Sequence, residues 1–271
     1  MMSWRGRGVW VLGAGFLGSA LAAACRAAGA SVLTIDHTAP ADLHADAADA
    51  RALAVGLGRV VPHVAFCCLS TRGGDAAAYD RVYQQSLRAL LSVAPAARPI
   101  FCSSISLYPD TQGAPVDEHT PLQPPTPRQE VLLQAERLAL VSGGVVARLA
   151  SLYGAGRCEL LRRHLAGEPR LAGAPERWLN YLHVDDAVRA LMLLAIRAEA
   201  GIYNLCSESF TIASAYALMH RLTGIPAAAE SAAASVRGSA NRRVISHHGT
   251  VEHPRTFRDF VQSELQHPTL P

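Results

Sequence analysis

Three glycines, Gly13, Gly15 and Gly18, stand in a G-x-G-x-x-G spacing between the apolar run Val9 to Leu12 and the alanine-rich stretch Phe16 to Ala28. A strand, a tight turn and a helix in that order put each glycine to a separate use. Gly13 allows the turn, Gly15 lets the backbone approach a pyrophosphate at the positive helix end that begins with Phe16 and Leu17, and Gly18 permits close helix-to-strand packing. Asp36 follows Gly18 by eighteen residues and closes a second apolar run, Ser31 to Ile35. A carboxylate at that place accepts hydrogen bonds from the ribose hydroxyls of an adenosine. Its charge repels a 2′-phosphate, and the next residue is His37 rather than arginine, so the pattern favours NAD, with NADP as the alternative.

Positioning such a loop takes a sheet, and the chain supplies the strands. Runs at Val64 to Leu69, Pro99 to Ser103, Gly144 to Leu149 and Gly201 to Leu205 read as buried strands, with helical segments at Ala76 to Ala94 and Asp185 to Ala198. Strands interleaved with helices predict an α/β fold built on a doubly wound, Rossmann-type parallel sheet. From about Ser207 the pattern loosens, and Ala227 to Ala234 is the single low-complexity stretch. The expected organisation is a dinucleotide-binding domain over residues 1–150, to which 176–205 return. A smaller C-terminal substrate-binding part is expected from 151–175 and 206–271.

The bulk properties agree with such a domain. The 271 residues are 50% hydrophobic and 17% charged, with a net charge of +3, too mild and too scattered for a nucleic-acid or anionic-membrane surface. Four of the six cysteines, Cys67, Cys68, Cys102 and Cys206, lie in apolar runs without a CxxC pair, which reads as reduced thiols of a cytoplasmic protein. Arg5 and Arg7 before an apolar run imitate a signal peptide ending at Cys25, but the glycine pattern accounts for the same residues with more constraints. No other apolar stretch reaches the ~18 residues of a membrane span. His247, His248 and His253 lie in a polar tail without ligand spacing, so no metal site is expected.

The segments VLGAGFLG, SSISLY, RLASLYGAGR, LHVDDAVRAL and GIYNLCSE, in this order, resemble the extended short-chain dehydrogenase/reductases of the NAD-dependent epimerase/dehydratase superfamily, most closely their atypical, YeeZ-like branch. The resemblance implies a catalytic hydroxyl at Ser104, four positions before Tyr108, donating to a substrate carbonyl oxygen. It further implies that Asp46 contacts the adenine, that Leu69, Ser70, Thr71 and Ser103 lie beneath the cofactor, and that Arg148, Ala150 and Ser151 pass the nicotinamide. His183 would face the substrate.

The family's YxxxK pair would fall in PTPRQEVLLQAE, where the tyrosine place holds Arg128 and the lysine place Leu132. Thr126 and Gln129 form a capping box, with Pro127 at the first helical position, so a helix begins there. Arg128 and Leu132, four apart, share one face of it. An arginine stays protonated and serves as no general base, though it can hold an anion or steady an oxyanion; a leucine can only pack. Tyr108, Tyr153, Glu130 and His183 are the other candidates for proton transfer. Packed rings for the tyrosines, a dipole-complementing role for Glu130, and helix capping by Asp185 and Asp186 beside His183 are the competing readings.

Two functions follow. One is an NAD(P)-dependent oxidoreductase or epimerase-like enzyme, monomer or homodimer, acting on a small or nucleotide-linked substrate, anionic if Arg128 clamps it. The other is a dinucleotide-responsive sensor that kept the cofactor site and lost turnover.

Overall fold

A computed structural model describes residues 4–71, 73–122, 126–168, 174–226, 241–246 and 254–270. The histidines at 247, 248 and 253 and the alanine-rich stretch lie outside the described residues.

In chain order the elements begin with β1 (Gly8–Leu12), α1 (Phe16–Ala27), β2 (Ser31–Asp36), β3 (Leu43–His44), α2 (Ala50–Leu57) and β4 (Val64–Cys67). A long helix follows, α3 (Ala76–Tyr79), a π-helical turn (Asp80–Gln85) and α4 (Ser86–Val93), and then β5 (Arg98–Ser104). Next come β6 (Pro115–Val116), α5 (Pro127–Val141), β7 (Val145–Leu149), β8 (Ser151–Tyr153), α6 (Glu159–Leu165), β9 (Trp178–His183), α7 (Val184–Arg197) and β10 (Gly201–Leu205). The chain closes with β11 (Glu208–Thr211), α8 (Ile212–Thr223), β12 (Arg243–Val244) and α9 (Phe257–Gln266).

The chain divides into two compact units. The first comprises residues 1–107, 122–149 and 187–203. It holds a seven-stranded sheet in the order β10-β7-β5-β4-β1-β2-β3. The pairs β1–β2, β2–β3, β1–β4, β4–β5 and β5–β7 are all parallel. The strands β1 and β4 are buried along their whole length, which is why they read as unbroken apolar runs rather than as alternating ones. The order reverses between β1 and β4, and in open α/β sheets ligands bind beyond the carboxyl ends of the strands at such a point. Those carboxyl ends carry the glycine turn on β1 and Leu69 to Thr71 after β4.

The second unit comprises residues 108–121, 150–186 and 204–271. It contains a three-stranded sheet, β11-β9-β8, and the short parallel pair β12–β6. Its core is aromatic, with Tyr153, Tyr216, Phe257 and Phe260 buried together. Of the stretch 176–205 expected to rejoin the dinucleotide domain, only 187–203 lie in the first unit, while Trp178–His183 is the middle strand of the smaller sheet.

Candidate active site

The glycine turn of the first unit has the required geometry. Gly13 adopts φ +92°, and a side chain there would press to 2.8 Å from the carbonyl of Cys68. Gly18 has no room either, since a Cβ would stand 1.8 Å from the Gly13 carbonyl oxygen. Gly15 differs from both. Its φ of −74° suits any residue, and a Cβ there would meet nothing within 4 Å. Gly15 is also the N-cap of α1, with no side chain capping the helix and no acid in its first turn. The positive end of α1 therefore opens onto space, which is the cradle a pyrophosphate needs.

Asp36, 9% exposed, closes β2 and ties this turn down. Its Oδ2 accepts the Ala14 N–H at 2.8 Å, and its Oδ1 accepts from the Thr38 N–H at 2.7 Å, the Ala39 N–H at 2.9 Å and the Thr38 hydroxyl at 3.1 Å. Burial alone would raise the pKa of this carboxyl, but the bonds from Ala39, Thr38 and Ala14 outweigh it and hold the group below the usual carboxylate range. Asp36 is thus anionic at neutral pH, with acceptor capacity remaining on Oδ2. The neighbouring His37 is exposed. Asp46 pairs with Arg81 of the π-helical turn at 2.5 Å, an exposed contact, and accepts the Ala48 N–H at 2.9 Å.

On β5, successive serines point to opposite faces. Ser103 is buried and donates to Glu136 of α5 at 2.5 Å. Ser104 is half-buried, and its Oγ accepts the Ser106 N–H at 3.1 Å. The same Glu136 takes both Nε and Nη2 of Arg148, at 3.0 and 2.8 Å, in a pair whose side chains are each 3% exposed. The Arg148 guanidinium is thus turned to Glu136, because a buried cation demands acceptors.

Helix α5 begins as expected. The Thr126 hydroxyl accepts the Gln129 N–H at 3.4 Å, and Gln129 Oε1 accepts the Thr126 N–H at 2.9 Å. Gln129 also donates to the Ser106 carbonyl at 2.9 Å, fixing the start of α5 to the chain just beyond Ser104. Arg128 is exposed, while Leu132 is buried in the sheet's main apolar core. Glu130 accepts from Gln134 at 3.0 Å.

The remaining expected residues lie in the second unit. Tyr108 is 1% exposed, and its hydroxyl donates to Asn204 Oδ1 at 2.8 Å. The Tyr153 hydroxyl donates to the Arg255 carbonyl at 3.2 Å, and burial pushes its pKa up. His183 is buried edge-on to Tyr153, and its Nδ1 accepts the Asp185 N–H at 3.2 Å, which requires that nitrogen to be unprotonated. Asp185 and Asp186 do not cap α7 as expected but lie in its first turn. Asp186 accepts from the Ser207 hydroxyl at 2.5 Å and the Arg255 N–H at 2.9 Å, and Asp185 pairs with Arg255 at 3.1 Å. Ala150 is buried, with its N–H on the Leu205 carbonyl, and Ser151 is exposed on β8.

Two residues of the first unit escaped the sequence reading. Glu136 stands two helical turns beyond Arg128 on the same face, a spacing that could have marked it. Tyr83 sits on the π-helical turn, which no local pattern announces. Among the described residues no helix is long and apolar enough to cross a membrane, and no group of three or more metal-binding side chains converges.

Known proteins share this fold at low identity. The chain is similar to MoeE5 in complex with UDP-glucuronic acid and NAD (22% identity, covering 96% of this chain and 98% of that one, TM-score 0.77). It is similar also to UDP-glucose 4-epimerase with UDP-glucose from Thermotoga maritima (18%, 95% and 97%, 0.77) and to dTDP-glucose 4,6-dehydratase from Bacillus anthracis in complex with NAD (16%, 97% and 97%, 0.76). No curated protein sequence matches the chain. With the glycine turn, the acid at the end of β2 and the parallel sheet in place, a sequence model covering residues 9–206 identifies the chain as a member of the NAD dependent epimerase/dehydratase family.

Proposed function

We propose that the protein binds NAD across the carboxyl ends of β1, β2 and β4 and transfers a hydride to or from a small or sugar-nucleotide substrate. The observation that carries this reading is the open, uncapped N-terminus of α1 at Gly15, flanked by two glycines that admit no side chain. The residues present fit the cofactor. The Phe16 and Leu17 backbone opens α1 toward a pyrophosphate, Asp36 would accept from the adenosine ribose through Oδ2, and its negative charge disfavours NADP. The bound nicotinamide supplies the redox chemistry; the protein supplies orientation and electrostatics. Ser104 would donate to the reacting oxygen, and the exposed Arg128 would hold an anionic substrate group. Solved structures of like fold hold UDP-glucuronic acid or UDP-glucose, which makes a nucleoside-diphosphate sugar the first substrate class to try.

A second reading, a dinucleotide-responsive sensor, draws support from Leu132, which is built into the core where the family's lysine would reach the nicotinamide ribose. Calorimetric titration with NAD⁺, NADH, NADP⁺ and NADPH, followed by absorbance assays over carbonyl, imine and sugar-nucleotide substrates, separates the two. Turnover that falls when Ser104 is replaced by Ala supports the enzyme. Binding without turnover across the panel supports the sensor, and no binding of any dinucleotide overturns both.

A further inference from the structure

A tyrosine hydroxyl stands near the carboxyl end of β4, where Arg128 offers none. Tyr83 lies on the π-helical turn Asp80–Gln85, an interruption of the helix running from Ala76 to Val93. Turns of this kind are rare in α-helices and concentrate at functional sites. The ring of Tyr83 meets Phe101 of β5 edge-on at 6.1 Å and packs on the core that contains Leu132. Its hydroxyl interacts with Thr71 and Ser70, which follow β4. β4 and β5 are parallel neighbours, so Ser70, just beyond the end of β4, and Ser104, the last residue of β5, follow the carboxyl ends of adjacent strands. The turn is also fixed to α5, because the Gln84 amide donates to Gln134 Oε1 at 2.8 Å.

Resting on the enzyme reading above, we propose that Tyr83 is the general acid of this site, taking the part that Arg128 cannot play. A bound reduced nicotinamide would supply a hydride, with its electron pair, to a substrate carbonyl carbon, whose C–O π pair would move onto oxygen. The Tyr83 hydroxyl gives its proton to that oxygen, and water reprotonates the phenolate that remains. Hydrogen bonds from Thr71 and Ser70 to the phenolate oxygen stabilise it.

The chemistry agrees with the surroundings. Burial raises the Tyr83 pKa, Tyr79 adds to the rise, and the bonds from Thr71 and Ser70 only partly offset it. The group therefore stays protonated at neutral pH, as an acid must. Other ionisable groups on the packed elements are Tyr79, 5.3 Å away ring to ring, and Asp80 and Arg81 on the same helix. Arg88 of α4 bonds Gln84; α5 carries Arg128, Glu130, Glu136 and Arg137; Cys67 and Cys102 lie on β4 and β5.

Tyr83→Phe keeps the ring and removes the proton. Two measurements on the full chain test the proposal. Calorimetry of NAD⁺ binding near pH 9.5, in two buffers of different ionisation enthalpy, reads protons released when the cationic nicotinamide arrives beside the hydroxyl. Release in the wild type that is absent in Tyr83→Phe is expected, and equal release or none in both proteins overturns the assignment while leaving cofactor binding intact. If neither protein binds NAD⁺, the dinucleotide reading falls and this inference with it. Where a carbonyl substrate is reduced, Tyr83→Phe should lower kcat by about 100-fold or more with the KM for NADH unchanged; an unaltered kcat overturns the assignment.

Discussion

Glu136 and Arg148 form a bidentate ion pair buried between α5 and β7, and Ser103 of β5 adds a third bond to the same carboxylate. One acid thereby joins the helix that presents Arg128 to the strand that presents Ser104. Taking both charges out of water is expensive, so the pair contributes more to fixing the site than to net stability.

Removing one partner strands the other. Glu136→Ala should destabilise the fold by about 3–5 kcal/mol in urea titration, whereas the double variant Glu136→Leu, Arg148→Met should recover most of that loss. Equal losses in both would show that the ion pair is not the source of the effect.

The glycine turn separates folding from binding. Gly15→Ala meets no protein atom and should leave the thermal midpoint within a few degrees while weakening NAD⁺ binding at least about tenfold, because the methyl group enters the cradle. Gly13→Ala, strained at positive φ and against Cys68, should lose stability as well. Differential scanning fluorimetry beside calorimetry reads both.

Asp36 carries a pH signature. Its folded-state pKa lies below the unfolded value, so it contributes stability that is fully present above about pH 4 and is lost as pH falls through the folded pKa. Asp36→Asn should flatten the acid limb of a stability-against-pH curve. Asp36→Arg should move cofactor preference toward NADP, and a wild type that already prefers NADPH would contradict the role given to this carboxylate.

Placing at 128 and 132 the tyrosine and lysine that the family resemblance implies should fail on one side only. Arg128→Tyr alters an exposed position and should change stability by less than about 0.5 kcal/mol. Leu132→Lys puts an ammonium into the apolar core and should cost at least about 2 kcal/mol by urea titration. A tolerated Leu132→Lys would show that the position still opens onto the site.

What the sequence disclosed was local. The glycine spacing, the acid that ends β2 and the Thr126–Gln129 cap are set by neighbours within a turn or a strand, and the structure has these local features. The ties of Ser103, Glu136 and Arg148 depend on the register of β5 on β7, which no spacing reveals. The partner of Arg148, Glu136, stands twelve residues away on a helix and was therefore not foreseen. Tyr108 reaches Asn204, ninety-six residues on, for the same reason. The π-helical turn leaves the apolar pattern of Ala76 to Ala94 unbroken, so the helix was legible and the placement of Tyr83 was not.

The central claim is that the open N-terminus of α1 holds NAD. Calorimetric titration of the wild type and Gly15→Ala with NAD⁺ tests it most directly. One NAD⁺ per chain in the wild type, with affinity falling at least about tenfold in a Gly15→Ala variant of unchanged thermal midpoint, is the predicted result. No binding in the wild type, or equal binding in both, would contradict it.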